Sequence, residues 1–143
     1  MTGNDWAPVP KKPGRKSTIV VVDDSEVVRE SVALMLEERG FEVVQVAGVF
    51  ALPQSVGREA PDLILMDVSM PAITGDKAVE FARRNQFAKC PIVLFSDRKA
   101  EELQRLANRC GAAGFIRKTA NGDELARAVE KYLARTRPGG APK

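Results

Sequence analysis

The spacing of apolar positions along the chain switches regularly between two patterns. Thr18-Ile-Val-Val-Val22 is an unbroken β-branched run, the signature of a strand buried on both faces. From Ser25 to Arg39, Val28, Val32, Met35 and Leu36 recur on one helical face, and Gly40 supplies a stop. Phe41–Ala47 predicts a second strand, followed by a short helix that Pro53 and Gly57 weaken. Pro61 introduces a third apolar strand, Leu63–Met66. Asp76–Asn85 predicts a helix with Ala78, Phe81 and Ala82 facing inward, and Ile92–Phe95 a fourth strand. Lys99–Cys110 repeats the helical pattern through Leu103, Leu106 and Cys110, with Gly111 after it. Gly114–Arg117 is a short fifth strand, and Asp123–Arg135 a last helix with Leu125, Val129, Tyr132 and Leu133 on its buried stripe.

Strands alternating with helices in this way imply an α/β fold, a parallel sheet covered on both faces with right-handed crossovers. The folded unit is expected over residues 18–135. Residues 1–17, with Pro8, Pro10, Pro13 and Gly14, read as a flexible basic leader, and residues 136–143 as a basic tail. No internal repeat is visible.

In such sheets functional groups gather beyond the carboxyl ends of the strands. The first strand runs into Asp23-Asp24, the third into Asp67, the fourth into Ser96 and the fifth into Lys118. Three carboxylates crowded at one edge repel one another, and a hard divalent cation would relieve that repulsion. With Lys118 as a second positive charge, such a site suits phosphoryl transfer to or from Asp67, with Ser96 donating its hydroxyl. Taken singly, each residue also has a structural use. Asp23 or Asp24 would cap the first helix, Asp67 would start the turn before Pro71, Ser96 would cap the fourth helix, and Lys118 would be an exposed lysine. Their occurrence together at successive strand ends favours the chemical reading.

Composition narrows the chemistry further. The 143 residues include no histidine, which excludes histidine-based triads and a phosphohistidine on this chain. Cys90 and Cys110 have no metal-type spacing and read as buried thiols of a reducing compartment. No apolar run approaches the length of a membrane span, and the leader lacks the apolar stretch of a secretory signal, so a cytoplasmic protein is expected. The net charge of +3 is the sum of two basic ends and a weakly acidic middle, which is not a nucleic-acid-binding profile.

The chain resembles the response-regulator receiver family. The resemblance covers about Thr18 to Arg135 and rests on five segments in order: Ile19-Val-Val-Val-Asp-Asp24, Pro61-Asp-Leu-Ile-Leu-Met-Asp67, Met70-Pro-Ala-Ile-Thr-Gly75, Pro91-Ile-Val-Leu-Phe-Ser96 and Gly111-Ala-Ala-Gly-Phe-Ile-Arg-Lys118. It implies a CheY/flavodoxin-like doubly wound sheet of five parallel strands in the order 2-1-3-4-5 with five helices. It implies Asp67 as phosphoacceptor, and Asp23, Asp24, Asp67 and the Ser69 backbone carbonyl as ligands of Mg²⁺, with Mn²⁺ as a substitute. Lys118 would pair with the phosphoryl group, Ser96 would be the switch hydroxyl, and Phe115 the aromatic that swings inward after it. Asp97 stands where the family usually has a small residue, and Thr119 where it usually has proline, often after a cis bond. Ser69 and Arg98 occupy positions that tune dephosphorylation in the family.

The resemblance further implies a two-component response regulator of the stand-alone type. A sensor histidine kinase or histidine phosphotransfer protein would be the donor, and a downstream protein would read the face made by the fourth helix, fifth strand and fifth helix. Receivers can also homodimerise through that face. Its mild basic excess, including Arg98, Arg105, Arg109, Arg117 and Arg127, suggests an acidic partner surface. Neither direct nucleic-acid binding nor a membrane span is expected. The alternative is a phosphorylation-independent receiver-like binding module. An aspartyl-phosphate phosphatase fits less well, because that class places a second acid two residues after the nucleophile, where this chain has Ser69. The expectation is a switch and not an enzyme.

Overall fold

The computed structural model describes residues 16–85 and 89–136. The elements run β1 (Thr18–Val22), α1 (Glu26–Glu37), β2 (Glu42–Val46), a 3₁₀ turn (Val49–Ala51), α2 (Leu52–Glu59), β3 (Leu63–Asp67), α3 (Gly75–Asn85), β4 (Ile92–Ser96), α4 (Ala100–Cys110), β5 (Gly114–Arg117) and α5 (Gly122–Thr136). The strands form one parallel sheet in the order β2-β1-β3-β4-β5, as the resemblance implies. All but two residues of the expected leader, and all but the first of the expected tail, lie outside the described residues.

Burial follows position in the sheet. The inner strands β1, β3 and β4 are buried along their whole length, which is why their sequences are continuous apolar runs. The edge strands β2 and β5 carry exposed or half-buried positions. Within β1, alternate residues serve opposite faces. Val20 and Val22 pack with Leu52, Val79 and Leu103 under α2, α3 and α4, while Ile19 and Val21 pack with Leu36, Leu125 and Val129 under α1 and α5.

Two local expectations change. The second helix is not weakened by Pro53, because Pro53 lies in its first turn, where a missing N–H costs nothing, and Ala60 ends it in a left-handed conformation with φ 47°. Phe81 does not face inward: it is 49% exposed, on the outer side of α3. Helical spacing alone puts Phe81 near Ala78 and Ala82, but the buried stripe is Ala78, Val79 and Ala82.

Candidate functional site

The carboxyl ends of β1, β3, β4 and β5 converge on one side chain. Lys118 follows β5, and its ammonium lies 3.0 Å from Asp67 Oδ1 at the end of β3 and 3.0 Å from Asp23 Oδ2 just after β1. It also sits 5.6 Å from the centre of the Phe95 ring, a cation–π contact on its apolar side. Its register is fixed by the sheet, since the Lys118 N–H donates to the Ser96 carbonyl at 2.8 Å.

Asp23 and Asp67 are buried, whereas Asp24 is exposed. The three offer oxygens that all lie within 4.8 Å of one another. Burial, followed in part by the nearby Asp23 charge, pushes the Asp67 carboxyl above its ordinary value, although Lys118 and the Ser69 N–H act against the shift. Burial would lower Lys118, but its short contacts to Asp23 and Asp67 outweigh this and hold it above the usual lysine value. Asp23 Oδ2 touches Lys118 as an ion pair without hydrogen-bond geometry, so it is a buried oxygen with spare acceptor capacity. A buried carboxylate oxygen that faces only the Lys118 ammonium, beside two further carboxylates, belongs to a donor set that fits a hard divalent cation.

The loops that hold these groups are built by local chemistry. Asp23 Oδ1 accepts from the Ser25 N–H at 2.9 Å, and Ser25 Oγ accepts from the Val28 N–H at 3.2 Å. Ser25, and not Asp23 or Asp24, is therefore the N-cap of α1, which leaves Asp23 Oδ2 and the Asp24 carboxylate free of that duty. Ser69 is exposed, and its N–H donates to Asp67 Oδ1 at 3.3 Å. Gly75 folds the following loop back, its N–H donating to the Val68 carbonyl at 2.8 Å. A Cβ there would collide with the Asp67 carbonyl and come within 2.8 Å of Val68 Cα, so only glycine permits this approach.

Ser96 is buried, and its Oγ accepts from the Arg98 N–H at 3.0 Å. It shapes the turn before α4 but is not the cap residue, a position held by Lys99 without a side-chain bond. Phe115 is half-buried at the rim of the core beneath α4. Its N–H donates to the Tyr132 hydroxyl at 3.2 Å, and that hydroxyl donates to its carbonyl at 3.3 Å. Asp97 is exposed. Arg98 pairs with Glu102 at 3.1 Å, one turn along α4, and does not lean over the carboxylates. No peptide bond among the described residues is cis, so Thr119 sits after a trans bond.

Sequence reasoning missed two supporting residues. Arg29, one turn into α1, donates to the Asp23 carbonyl at 2.7 Å and pins the loop that presents the acidic pair. Tyr132 was placed on a buried stripe, but its hydroxyl tethers β5. A polar atom at a core-facing position was the available signal for each.

A family model for the response regulator receiver domain matches residues 19–130. The chain belongs to the response regulator receiver family. Among curated relatives, it is 31% identical over 119 residues to the transcriptional regulatory protein MctR of Rhizobium johnstonii, covering 80% of this chain and 54% of that one. It is 29% identical over 125 residues to the CAI-1 autoinducer sensor kinase/phosphatase CqsS of Vibrio cholerae, covering 86% of this chain and 18% of that protein. The chain thus spans about half of one relative and less than a fifth of the other. Among solved structures, the V. cholerae chemotaxis protein CheY4 superposes with a TM-score of 0.74 at 25% identity, covering 82% of this chain and 98% of that one. The BeF3-activated N-terminal receiver domain of Klebsiella pneumoniae RstA does so with a TM-score of 0.74 at 26% identity, again covering 82% and 98%. Receivers are phospho-accepting switches of two-component systems, and this receiver carries the acidic pocket at which they bind Mg²⁺. No helix among the described residues is long and apolar enough to cross a membrane.

Proposed function

We propose that this receiver accepts a phosphoryl group on Asp67 from a phosphohistidine of a sensor kinase or phosphotransfer protein, in a reaction that requires Mg²⁺ or Mn²⁺. The observation that carries the reading is the buried Asp67 whose Oδ1 lies 3.0 Å from the Lys118 ammonium, with Asp23 and Asp24 oxygens within 4.8 Å. Both described contacts to the Asp67 carboxylate fall on Oδ1, which leaves Oδ2 as the attacking oxygen. Oδ2 forms the new bond to phosphorus as the bond from phosphorus to the donor imidazole breaks, and the imidazole leaves with the electron pair and takes up a proton. Asp23, Asp24, Asp67 and the Ser69 carbonyl would hold the divalent cation, which neutralises charge on the transferring group.

Lys118 is the second electrostatic support, positioned before the reaction begins. After transfer, the group adds about two negative charges. Ser96 would give up its bond from the Arg98 N–H to donate to a phosphoryl oxygen, and Phe115 would move into the space released. The readout is then a population shift on the face of α4, β5 and α5. On that face Arg98 and Arg117 are already engaged, Arg117 Nε donating to the Arg98 carbonyl at 2.9 Å, so a partner would rely on the other basic residues. The donor's approach is supported by α1, where Val27 is 78% exposed and borders a groove that also includes Met35, Phe95 and Lys118. We place the protein in the cytoplasm, acting as a switch and not as a turnover enzyme.

The test is to add beryllofluoride to wild type and to Asp67→Asn, with and without Mg²⁺, and follow the amide spectrum by NMR. Shifts at Ser96, Phe115 and Lys118 only in wild type with Mg²⁺ are expected. An unchanged wild-type spectrum would favour the receiver-like binding module.

A further inference from the structure

We propose that Arg117 is a positioning residue for the switch: its guanidinium clamps the loop after Ser96 in the unphosphorylated placement and so sets how readily the site is occupied. The inference rests on the phosphoacceptor reading above and extends it to a residue outside the acidic pocket. Arg117 Nε donates to the Arg98 carbonyl at 2.9 Å, and its Nη2 donates to the Asp97 carbonyl at 3.3 Å. Two consecutive carbonyls of the β4–α4 loop are thus held by one planar fork from the neighbouring strand.

The sheet dictates this placement. Arg117 pairs with Ser96 in the β4–β5 ladder, where both strands end. Side chains alternate along β5, so Arg117 shares the α4 side of the strand with Phe115, while Ile116 packs beneath α1 and α5. From that side the fork reaches the two residues that follow Ser96. The same loop directs the hydroxyl, because Ser96 Oγ accepts from the Arg98 N–H at 3.0 Å. Arg98 is therefore held at its carbonyl by Arg117 and at its amide by Ser96. Among the described residues, the hydrogen bonds to the Asp67 carboxylate come from Lys118 and Ser69, and not from Ser96. The cap residue of α4, Lys99, adds no side-chain bond of its own. Arg98 reaches forward to Glu102 at 3.1 Å, so movement of the loop is passed to the first turn of α4. For Ser96 to turn to a phosphoryl oxygen, the Arg98 amide must be released, and the fork opposes that release. A protein whose competent placement is a minor population binds its ligand more weakly by that fraction, and loosening the clamp raises the fraction.

The test uses the full chain with Mg²⁺ and beryllofluoride. Arg117→Met keeps most of the apolar stem and removes every donor. Two charge-assisted bonds from a half-buried side chain are worth about a factor of ten together, so this variant should bind beryllofluoride about tenfold more tightly than wild type. The direction is diagnostic, because loss of a positive charge near an anion site would by itself weaken binding. Without beryllofluoride, amides away from the substitution, such as Ser69 and Leu103, should lie part-way along the line from free to bound wild-type positions. Arg117→Lys, which keeps the charge without the fork, should move both readouts in the same direction by a smaller step. Affinity in Arg117→Met equal to or weaker than that of a responsive wild type would overturn the clamp and leave the phosphoacceptor reading standing. A wild type that ignores beryllofluoride in the presence of Mg²⁺ would overturn both.

Discussion

Removing the Lys118 ammonium should unmask the repulsion that the fold otherwise contains. In Lys118→Met, two buried carboxylates lose a cation that sits 3.0 Å from each. At an effective dielectric constant of about 20, each contact is worth about 5 kcal/mol. Desolvation of the same charges offsets much of that sum, and loss of one partner from a buried pair typically costs about 3–5 kcal/mol. Protonation sets a ceiling. Starting from the ordinary carboxyl value of 3.8, holding a proton on Asp67 near neutral pH costs about 4 kcal/mol. The expected loss in metal-free buffer near neutral pH is therefore about 3–4 kcal/mol.

The sign of the pH dependence follows. In the variant, a folded-state carboxyl value is driven further above the unfolded one, so the folded protein holds the extra proton in the window between them. The destabilisation is full above that folded value. It shrinks by up to about 1.4 kcal/mol per unit as pH falls through the window, and it vanishes below the unfolded value. Urea denaturation followed by circular dichroism, near neutral pH and again two units lower, measures this, and added Mg²⁺ should restore part of the loss. A loss under about 1 kcal/mol, or one that is the same at both pH values, would refute the view that Lys118 holds the carboxylates together.

Other expectations concern the same region and its flanks. Asp67→Asn should stabilise the metal-free protein near neutral pH, because burial and the Asp23 charge disfavour the ionised carboxyl there. Because the Asp67 carboxyl lies above its ordinary value, that gain should disappear on acidification below the unfolded value, a difference that thermal melts at two pH values would resolve. Gly75→Ala should cost about 1–3 kcal/mol through overpacking against the end of β3, and should also weaken beryllofluoride binding by displacing Asp67; a melt unchanged from wild type would contradict the packing account. Of the two thiols expected to be buried only Cys110 is fully so, Cys90 being half-buried; desolvation nevertheless pushes the Cys90 thiol up to about 12, so near pH 8 only about one molecule in ten thousand carries the thiolate. Its labelling by iodoacetamide in the native protein should be slower than in urea by orders of magnitude, and comparable rates would show that the thiol is not shielded.

Most of this was legible in the sequence because the decisive signals are local. The unbroken apolar runs of β1, β3 and β4 mark inner strands, and the polar residues that end them mark the functional edge. The convergence of Asp23, Asp67 and Lys118 needed only the sheet order and the rule that sites lie beyond strand ends. What stayed hidden depended on side-chain direction or on competition between neighbours. Asp23, Asp24 and Ser25 are all good N-caps, and only the turn geometry assigns the role to Ser25. Pro53 carries opposite meanings one turn apart, since it opens a helix in its first turn and breaks it later. Phe81 has the right spacing and the wrong angle. Arg29 and Tyr132 act on backbone atoms outside their own helices, Arg29 on the loop just before α1 and Tyr132 on β5, which no helical periodicity encodes.

The tether between Tyr132 and Phe115 bears on how these molecules can meet. β5 is the last strand of the sheet, and an outer strand's unused amide and carbonyl invite a neighbouring molecule to extend the ladder. Here one phenol on α5 satisfies both groups of Phe115, and Gly114 beside it leaves the room the ring requires. Two copies facing each other across this border must therefore recognise side chains, whose charge and shape a phosphorylation event can alter, and cannot simply fuse their sheets into one.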